Sequence, residues 1–279
     1  MSGSFALCGY ITGTPFCPPN VVDFSRTYAM CHNISGSPVC GDNVENFYMT
    51  YDSCQNIIGS PICGNNVINF TYAYDFSGIS GEAVCGPNVQ DMRYTYEGTN
   101  ITKAVCGTNV LRFDGAYAWC DYLTTPDIGQ KVTSMSMTYY NCSNLIGPAV
   151  CGTNVTAMDY AYANCYNLQG SPVCEDNVVS MNYAYQSCYN LTGSPICGPN
   201  VNNLSNAYYH CNCLTGSPAV SDKVENMANA YYYCRNLTKA PEIKATFLTN
   251  DCFAGMFKHC SKLSEIRVNS TSWYMCKIQ

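Results

Sequence analysis

Cysteine is the side chain that invites a chemical reading of this chain: there are 21 of them, against only three histidines, His32, His210 and His259. Thiols attack as thiolates, and a histidine or another cation must lower their pKa first. None of the three histidines lies in a recognisable Ser or Cys nucleophile motif, and neither a paired-carboxylate motif nor a phosphate-binding glycine loop occurs. Zinc ligation is the second chemistry that thiols offer. His210-Cys211-Asn212-Cys213 and the set Cys252, His259, Cys260 and Cys276 gather ligand types, but neighbours in the first alternate in direction and the chain has no Cys-x-x-Cys pair. Disulfides are the third, and an odd number leaves at least one thiol unpaired within the chain. The sequence therefore predicts no catalytic residues, no metal site, no cofactor and no enzymatic activity.

The elements that position these residues are copies of one phrase, Asn-Val-x-x-(Met/Phe)-x-x-(Ala/Thr)-Tyr-x-x-Cys-x-Asn-(Leu/Ile)-x-Gly-Ser-Pro-(Val/Ile)-Cys-Gly-x. Its opening valine recurs at Val21, Val44, Val67, Val89, Val110, Val132, Val155, Val178, Val201 and Val224, 21 to 23 residues apart. A partial copy ends in Cys8 and Phe16-Cys17, and an irregular one carries Phe257, Cys260 and Leu263. Periods of this length are those of leucine-rich repeats, in which each unit buries its apolar side only against its neighbours. The expected fold is an α/β repeat, a solenoid of about 11–12 rungs with short parallel strands on one face and short helical turns on the other. Residues 1–20 would form an N-terminal partial repeat, 21–246 the solenoid and 247–279 an irregular repeat and cap.

Counted from the opening valine, apolar residues fall at 0, +3, +6, +7 and +10, for example Val178, Met181, Ala184, Tyr185 and Cys188. That spacing predicts a short helix, with Asn177 as its N-cap. Proline excludes helix from the Gly-Ser-Pro-Val-Cys-Gly stretch, which is therefore the extended piece. Where its cysteine is missing, Ile128, Val220 and Ile243 replace it, so that position faces the core. The preceding position holds Val39, Ile62, Val84, Val105, Val150, Val173 and Ile196, but also Asp127 and Glu242, so it faces solvent.

These units resemble the BspA-like, or Treponema-type, leucine-rich repeats, which combine a Cys-x-x-Leu step, a short strand and an Ala-Phe or Met-Phe pair three residues before the cysteine. The resemblance covers nearly the whole chain and is closest at Lys239 to Phe247 (KAPEIKATF) and Asn250 to Leu263 (NDCFAGMFKHCSKL). Earlier copies place Cys where the family has Leu or Ile, and Tyr where it has Phe. The resemblance implies a bacterial or protist surface protein used in adhesion and protein binding, or a phage protein.

The repeat sorts the cysteines into two ladders. Cys17, Cys40, Cys63, Cys85, Cys106, Cys151, Cys174 and Cys197 occupy the strand; Cys8, Cys31, Cys54, Cys120, Cys142, Cys165, Cys188, Cys211, Cys234 and Cys260 close the turn at +10. Parallel ladder side chains aim poorly at one another, so both sets are expected as free thiols packed like small hydrophobes. Tyrosine repeats at +7 from Tyr28 to Tyr231 and should stack in the core with its hydroxyls at the edge. Further tyrosines lie off that ladder, Tyr72, Tyr94, Tyr160 and Tyr183 at +5 and Tyr209 and Tyr232 at +8, where they suit sugar stacking, a protein interface or cover over neighbouring rungs. Asn33, Asn56, Asn144, Asn167, Asn190 and Asn236 should form a hydrogen-bonded ladder between rungs.

Composition narrows the function further. The net charge of −6 and the lack of any Lys/Arg run argue against nucleic acid, and a chain with 13% aromatic and 11% charged residues is not disordered. No apolar run reaches the length of a membrane span, and the first twenty residues do not read as a signal peptide. Charge is uneven: residues 1–222 hold five basic and fifteen acidic side chains, residues 223–279 eight and four. The row Val39, Ile62, Val84, Val105, Val150, Val173 and Ile196 forms an apolar strip on the expected sheet face, and such strips mark interfaces. The expected function is a non-enzymatic binding or structural solenoid whose partner is a protein or glycan receptor, or a second copy. A phage virion, a bacterial cell surface and the cytoplasm are the settings compatible with that role.

Overall fold

The structure is a computed structural model and describes residues 1–244, 249 and 251–266. Each repeat forms one turn of a spiral whose alternate amides serve different neighbours. In the rung opening at Val21, the N–H groups of Phe24, Arg26, Tyr28 and Met30 donate to Asn46, Tyr48, Thr50 and Asp52 of the next rung at 2.7–3.0 Å. Those of Thr27, Ala29 and Cys31 close turns onto Phe24, Arg26 and Tyr28. The pattern persists to the end, where Tyr233 donates to Lys258.

Among the described residues there is no helix, which corrects the expectation of helical turns. A helix needs every amide for its own fourth-previous carbonyl, whereas here about half are directed to the next rung. The residues at +5 and +9 are also left-handed, with φ 52° and 60° at Arg26 and Met30 and similar values at Tyr72, Tyr94, Trp119, Tyr160, Tyr183 and His210. That conformation costs a non-glycine residue about 1–2 kcal/mol. The hydrogen bond that each such amide makes to the next rung offsets the strain. Asn177 caps nothing; its Nδ2 donates to the Thr153 carbonyl one rung back at 2.8 Å.

Parallel pairing is present on the expected side in two rungs and runs as a longer row at a position the sequence did not mark. A row of single-residue bridges runs at +2 from Asp23 through Asn46, Asn69, Asp91, Arg112, Ser134, Ala157, Ser180 and Asn203 to Asn226. On the Gly-Ser-Pro-Val-Cys side, two strands pair in parallel, β1 (Ser80–Glu82) and β2 (Asn100–Lys103). These two rungs carry Ala83 and Ala104 where others carry Pro38, Pro61, Pro172 or Pro195. Ala83 N–H donates to Lys103 at 3.0 Å, a bond that proline cannot make.

The core is a stack of rings. From Phe5 through Tyr28 and every +7 tyrosine to Tyr231 and Phe257, successive rings lie 5.2–5.9 Å apart with planes within 18° of parallel. Tyr51 to Tyr231 are fully buried. Around the stack, Val44, Val67 and their equivalents, the Phe/Met residues at +3, and Ile57, Leu123 and Leu145 close the interior.

Candidate binding surfaces

Each core tyrosine spans the solenoid from wall to wall. Tyr117 accepts a hydrogen bond from Val105 N–H at 3.0 Å and donates to the Val105 carbonyl at 2.9 Å. Tyr51 does the same at Val39, Tyr74 at Ile62, Tyr96 at Val84, Tyr162 at Val150, Tyr185 at Val173 and Tyr208 at Ile196. The seven strip residues are therefore pinned at both backbone groups, in one row on the wall opposite the tyrosine Cα atoms. Their side chains are half-buried rather than exposed, as are the cysteines beside them. A tyrosine-pinned backbone outside a regular ladder does not alternate cleanly between core and solvent, and Val105 and Val173 pack partly against the core. Asp127 breaks the row, and its carboxylate accepts from Cys106 N–H at 2.8 Å.

The buried ladder thiols are structural in geometry, and burial disfavours their thiolates. At +10, Cys54, Cys120, Cys142, Cys165, Cys188, Cys211 and Cys234 each donate to the carbonyl of the core tyrosine one rung back at 2.9–3.1 Å. Thr99 holds the same position but donates to Tyr96 of its own rung, and the Ser77 hydroxyl at the same position is buried without a partner. Burial pushes Cys54 and Cys120 up to about 12, and Cys63 and Cys106 of the other ladder equally far. A thiol that stays protonated at neutral pH is a poor nucleophile and a poor metal ligand. Both ladders are free thiols; of the remaining three cysteines, Cys213 is free, Cys252 is disulfide-bonded and Cys276 lies outside the described residues. Among the described residues no group of three or more His, Cys, Asp or Glu side chains is arranged to hold a metal. The asparagines form the expected ladder, Asn56 Nδ2 donating to the His32 carbonyl at 2.8 Å and Asn167 to Ser143 at 2.9 Å, and a second ladder at −1 runs beside it through Asn43, Asn66, Asn154 and Asn200.

The tyrosines off the core ladder gather on the other wall. Tyr72 stacks on Tyr94 at 5.0 Å, Tyr160 on Tyr183 at 4.6 Å and Tyr209 on Tyr232 at 4.7 Å, each within 9° of parallel. Their ring faces meet one another, and a sugar would find mainly edges and hydroxyls there. Trp119, 48% exposed, meets Tyr140 edge-on at 5.7 Å, and Tyr140 in turn meets Tyr160. Sequence reasoning missed a third feature, an open groove of about 420 Å³ lined by Glu45, Asn66, Ile68, Asn88, Gln90, Asn109, Leu111 and Lys131. The sequence carries little signal for it, since position +1 holds Ile68 and Leu111 but also Val22 and Val179, beside Glu45, Gln90, Thr133 and Thr156 in other rungs.

No protein-family model and no curated protein matches the sequence. Among solved structures, a leucine-rich repeat protein from Bacteroides ovatus superposes with a TM-score of 0.66 at 15% identity, covering 93% of this chain and 69% of that one. A leucine rich cell surface protein from Faecalibacterium prausnitzii aligns at 13% identity over 100% of this chain and 85% of that one, with a TM-score of 0.33. The first likeness establishes the architecture: the chain folds as a leucine-rich-repeat solenoid. Among the described residues no helix is long and apolar enough to cross a membrane.

Proposed function

We propose that this solenoid is a non-enzymatic binding protein of BspA-like type, and that the strip Val39, Ile62, Val84, Val105, Val150, Val173 and Ile196 is its receptor-binding wall. The observation that carries this reading is the tyrosine pinning: one half-buried aliphatic side chain per rung is held in register by two hydrogen bonds to its own backbone. A rigid row of that kind presents apolar area with little ordering entropy to lose on binding. The suppressed thiols and the leucine-rich-repeat architecture both favour binding over catalysis. A receptor-binding component of a phage particle is the first setting we assign, and a cell-surface adhesin or an intracellular scaffold are the alternatives. Neighbouring tail or capsid genes would favour the first, and cell-wall or secretion genes the second.

The test uses immobilised extracellular-matrix proteins and a glycan array as probes, with the wild-type chain and the Val84→Asp, Val105→Asp double variant. Binding by the wild type and at least a tenfold loss in a variant with an unchanged near-ultraviolet spectrum supports the strip. Equal binding by both would sink it.

A further inference from the structure

The wall opposite the strip carries a charge pattern that matches itself in reverse. With rungs numbered 1 to 10 from Val21 to Val224, and 11 for the irregular copy, position +8 holds Asp52, Asp75 and Glu97 in rungs 2, 3 and 4. They are neighbours at the rung spacing, about 4.8 Å. Burial, then Glu97, then Asp52 push the Asp75 carboxyl up to about 8, and one of its oxygens is buried without a hydrogen-bond partner. Burial likewise raises Asp52 and Glu97. Carboxylates left this way in a lone chain are those that an incoming cation relieves.

At the other end of the same wall the sign is opposite. His210, Tyr233 and His259 follow one another at +9 of rungs 9, 10 and 11, with ring centroids 4.4 and 4.3 Å apart and planes tilted by 32°. Arg235 lies over Tyr233 at 5.0 Å and Lys258 over Tyr232 at 6.0 Å. Burial, then Arg235 and His259, hold the His210 imidazole below its usual value, so the charge at this end is carried by Arg235 and Lys258, and no salt bridge joins either of them to a carboxylate among the described residues. Between the two ends, Trp119, Tyr140, Tyr160 and Tyr183 make an aromatic middle.

The register is what selects the partner. A two-fold axis between rungs 6 and 7 exchanges rung 2 with 11, 3 with 10 and 4 with 9, so it lays Asp52 of one copy on the rung of Lys258, Asp75 on the rung of Arg235 and Glu97 on the rung of His210, whose imidazole offers a hydrogen bond rather than a fixed charge. It also brings the two aromatic middles together. We propose that this wall is a self-complementary interface through which two copies of the chain pair antiparallel. Such an isologous contact closes on itself, whereas end-to-end docking would give open filaments. The wall is roughly 48 Å long by about 15 Å wide, on the order of 700 Å² per copy, close to the roughly 800 Å² of a standard interface. Pairing through this wall leaves both receptor strips facing outward, so it stands independently of the receptor reading.

Charge reversal tests the geometry. Sedimentation of the wild type should give a species of twice the 30.6 kDa chain mass at micromolar concentration. The variants Asp75→Lys, Glu97→Lys and Arg235→Glu, Lys258→Glu should each be monomeric, and an equimolar mixture should restore a 1:1 dimer. If either double variant lacks the wild-type near-ultraviolet spectrum, Glu97→Lys and Arg235→Glu singly carry the same experiment. Val84→Asp, Val105→Asp should dimerise normally. A wild type that stays monomeric at 100 μM, folded variants that fail to pair when mixed, or open-ended oligomers would overturn the proposal.

Discussion

Replacing Tyr117 by Phe tests whether the ring stack or the hydroxyl row holds the two walls together. The ring and its stacking on Tyr96 and Tyr139, at 5.5 and 5.9 Å, survive the change. What disappears is a hydroxyl that satisfies both Val105 N–H and Val105 C=O. A buried polar group stranded by loss of its partner costs about 1–3 kcal/mol. Two such groups, with Val105 only half-buried and water able to reach part of the site, give an expected loss of about 2–4 kcal/mol. The molecule contains its own control, because the Tyr231 hydroxyl is buried with no hydrogen-bond partner. Tyr231→Phe removes an unsatisfied group and should be neutral or slightly stabilising. Urea unfolding compares the two midpoints, with the slope checked because long repeat arrays lose two-state behaviour. Hydrogen exchange at the Val105 amide gives a local readout and should accelerate in Tyr117→Phe alone. Equal destabilisation by the two variants, or an unchanged Val105 amide, would refute the hydroxyl role.

The remaining predictions concern the same walls. Cys165→Ala, which loses the bond to Tyr139 and leaves a small void, should destabilise by about 1–2 kcal/mol, whereas Cys165→Ser keeps a donor as Thr99 does and should cost less; chemical denaturation measures both. Native protein should react with a thiol reagent far more slowly at Cys165, Cys188 and Cys211 than urea-unfolded protein does, counted by mass spectrometry. Because Asp75 is raised in the folded chain, protonation favours the fold: stability is greatest below the unfolded carboxylate value near pH 4, falls as pH rises, and levels off above about 8. Asp75→Asn should flatten that decline in thermal melts of dilute protein and raise the melting temperature at pH 8–9. Gly115→Ala would force a side chain into φ 62° with its Cβ driven into the Tyr94 ring, at a cost of about 1–3 kcal/mol and with loss of the Tyr72–Tyr94 stack from the near-ultraviolet spectrum.

The interior was legible because rungs substitute for one another. A tyrosine at every +7 reads directly as a ring stack, and parallel cysteine ladders read as free thiols because their side chains aim poorly at one another. The helix was misread for a definable reason. Spacings of 0, +3, +6, +7 and +10 turn the same side chains inward whether the chain bonds four residues back or closes successive tight turns whose other amides reach the next rung. Only backbone sign separates the two, and the left-handed positions +5 and +9 hold Tyr, Met and Trp more often than Gly or Asn, which appear there as Gly98, Gly115, Asn141, Asn164, Asn206 and Asn229. A helix, moreover, would have satisfied each rung alone. The turn spiral instead commits about four amides per rung to the next rung, so its cohesion lies between copies.

That coupling explains why chemistry-bearing side chains accumulate here in rows of one kind. Stacking at the rung spacing places like beside like: thiol above thiol, phenol above phenol, carboxylate above carboxylate. Catalysis asks for unlike groups at hydrogen-bond distance, a nucleophile against a base, and a ladder provides that only where its register is broken. Here the breaks are few. His210 and His259 enclose Tyr233 rather than a thiol, and Asp127 interrupts the aliphatic row by turning its carboxylate onto the Cys106 amide. A ladder is instead suited to presenting one chemical character over a long distance, and this one changes character along its length, with carboxyls at rungs 2–4, aromatic rings through the middle and Arg235 and Lys258 at rungs 10 and 11.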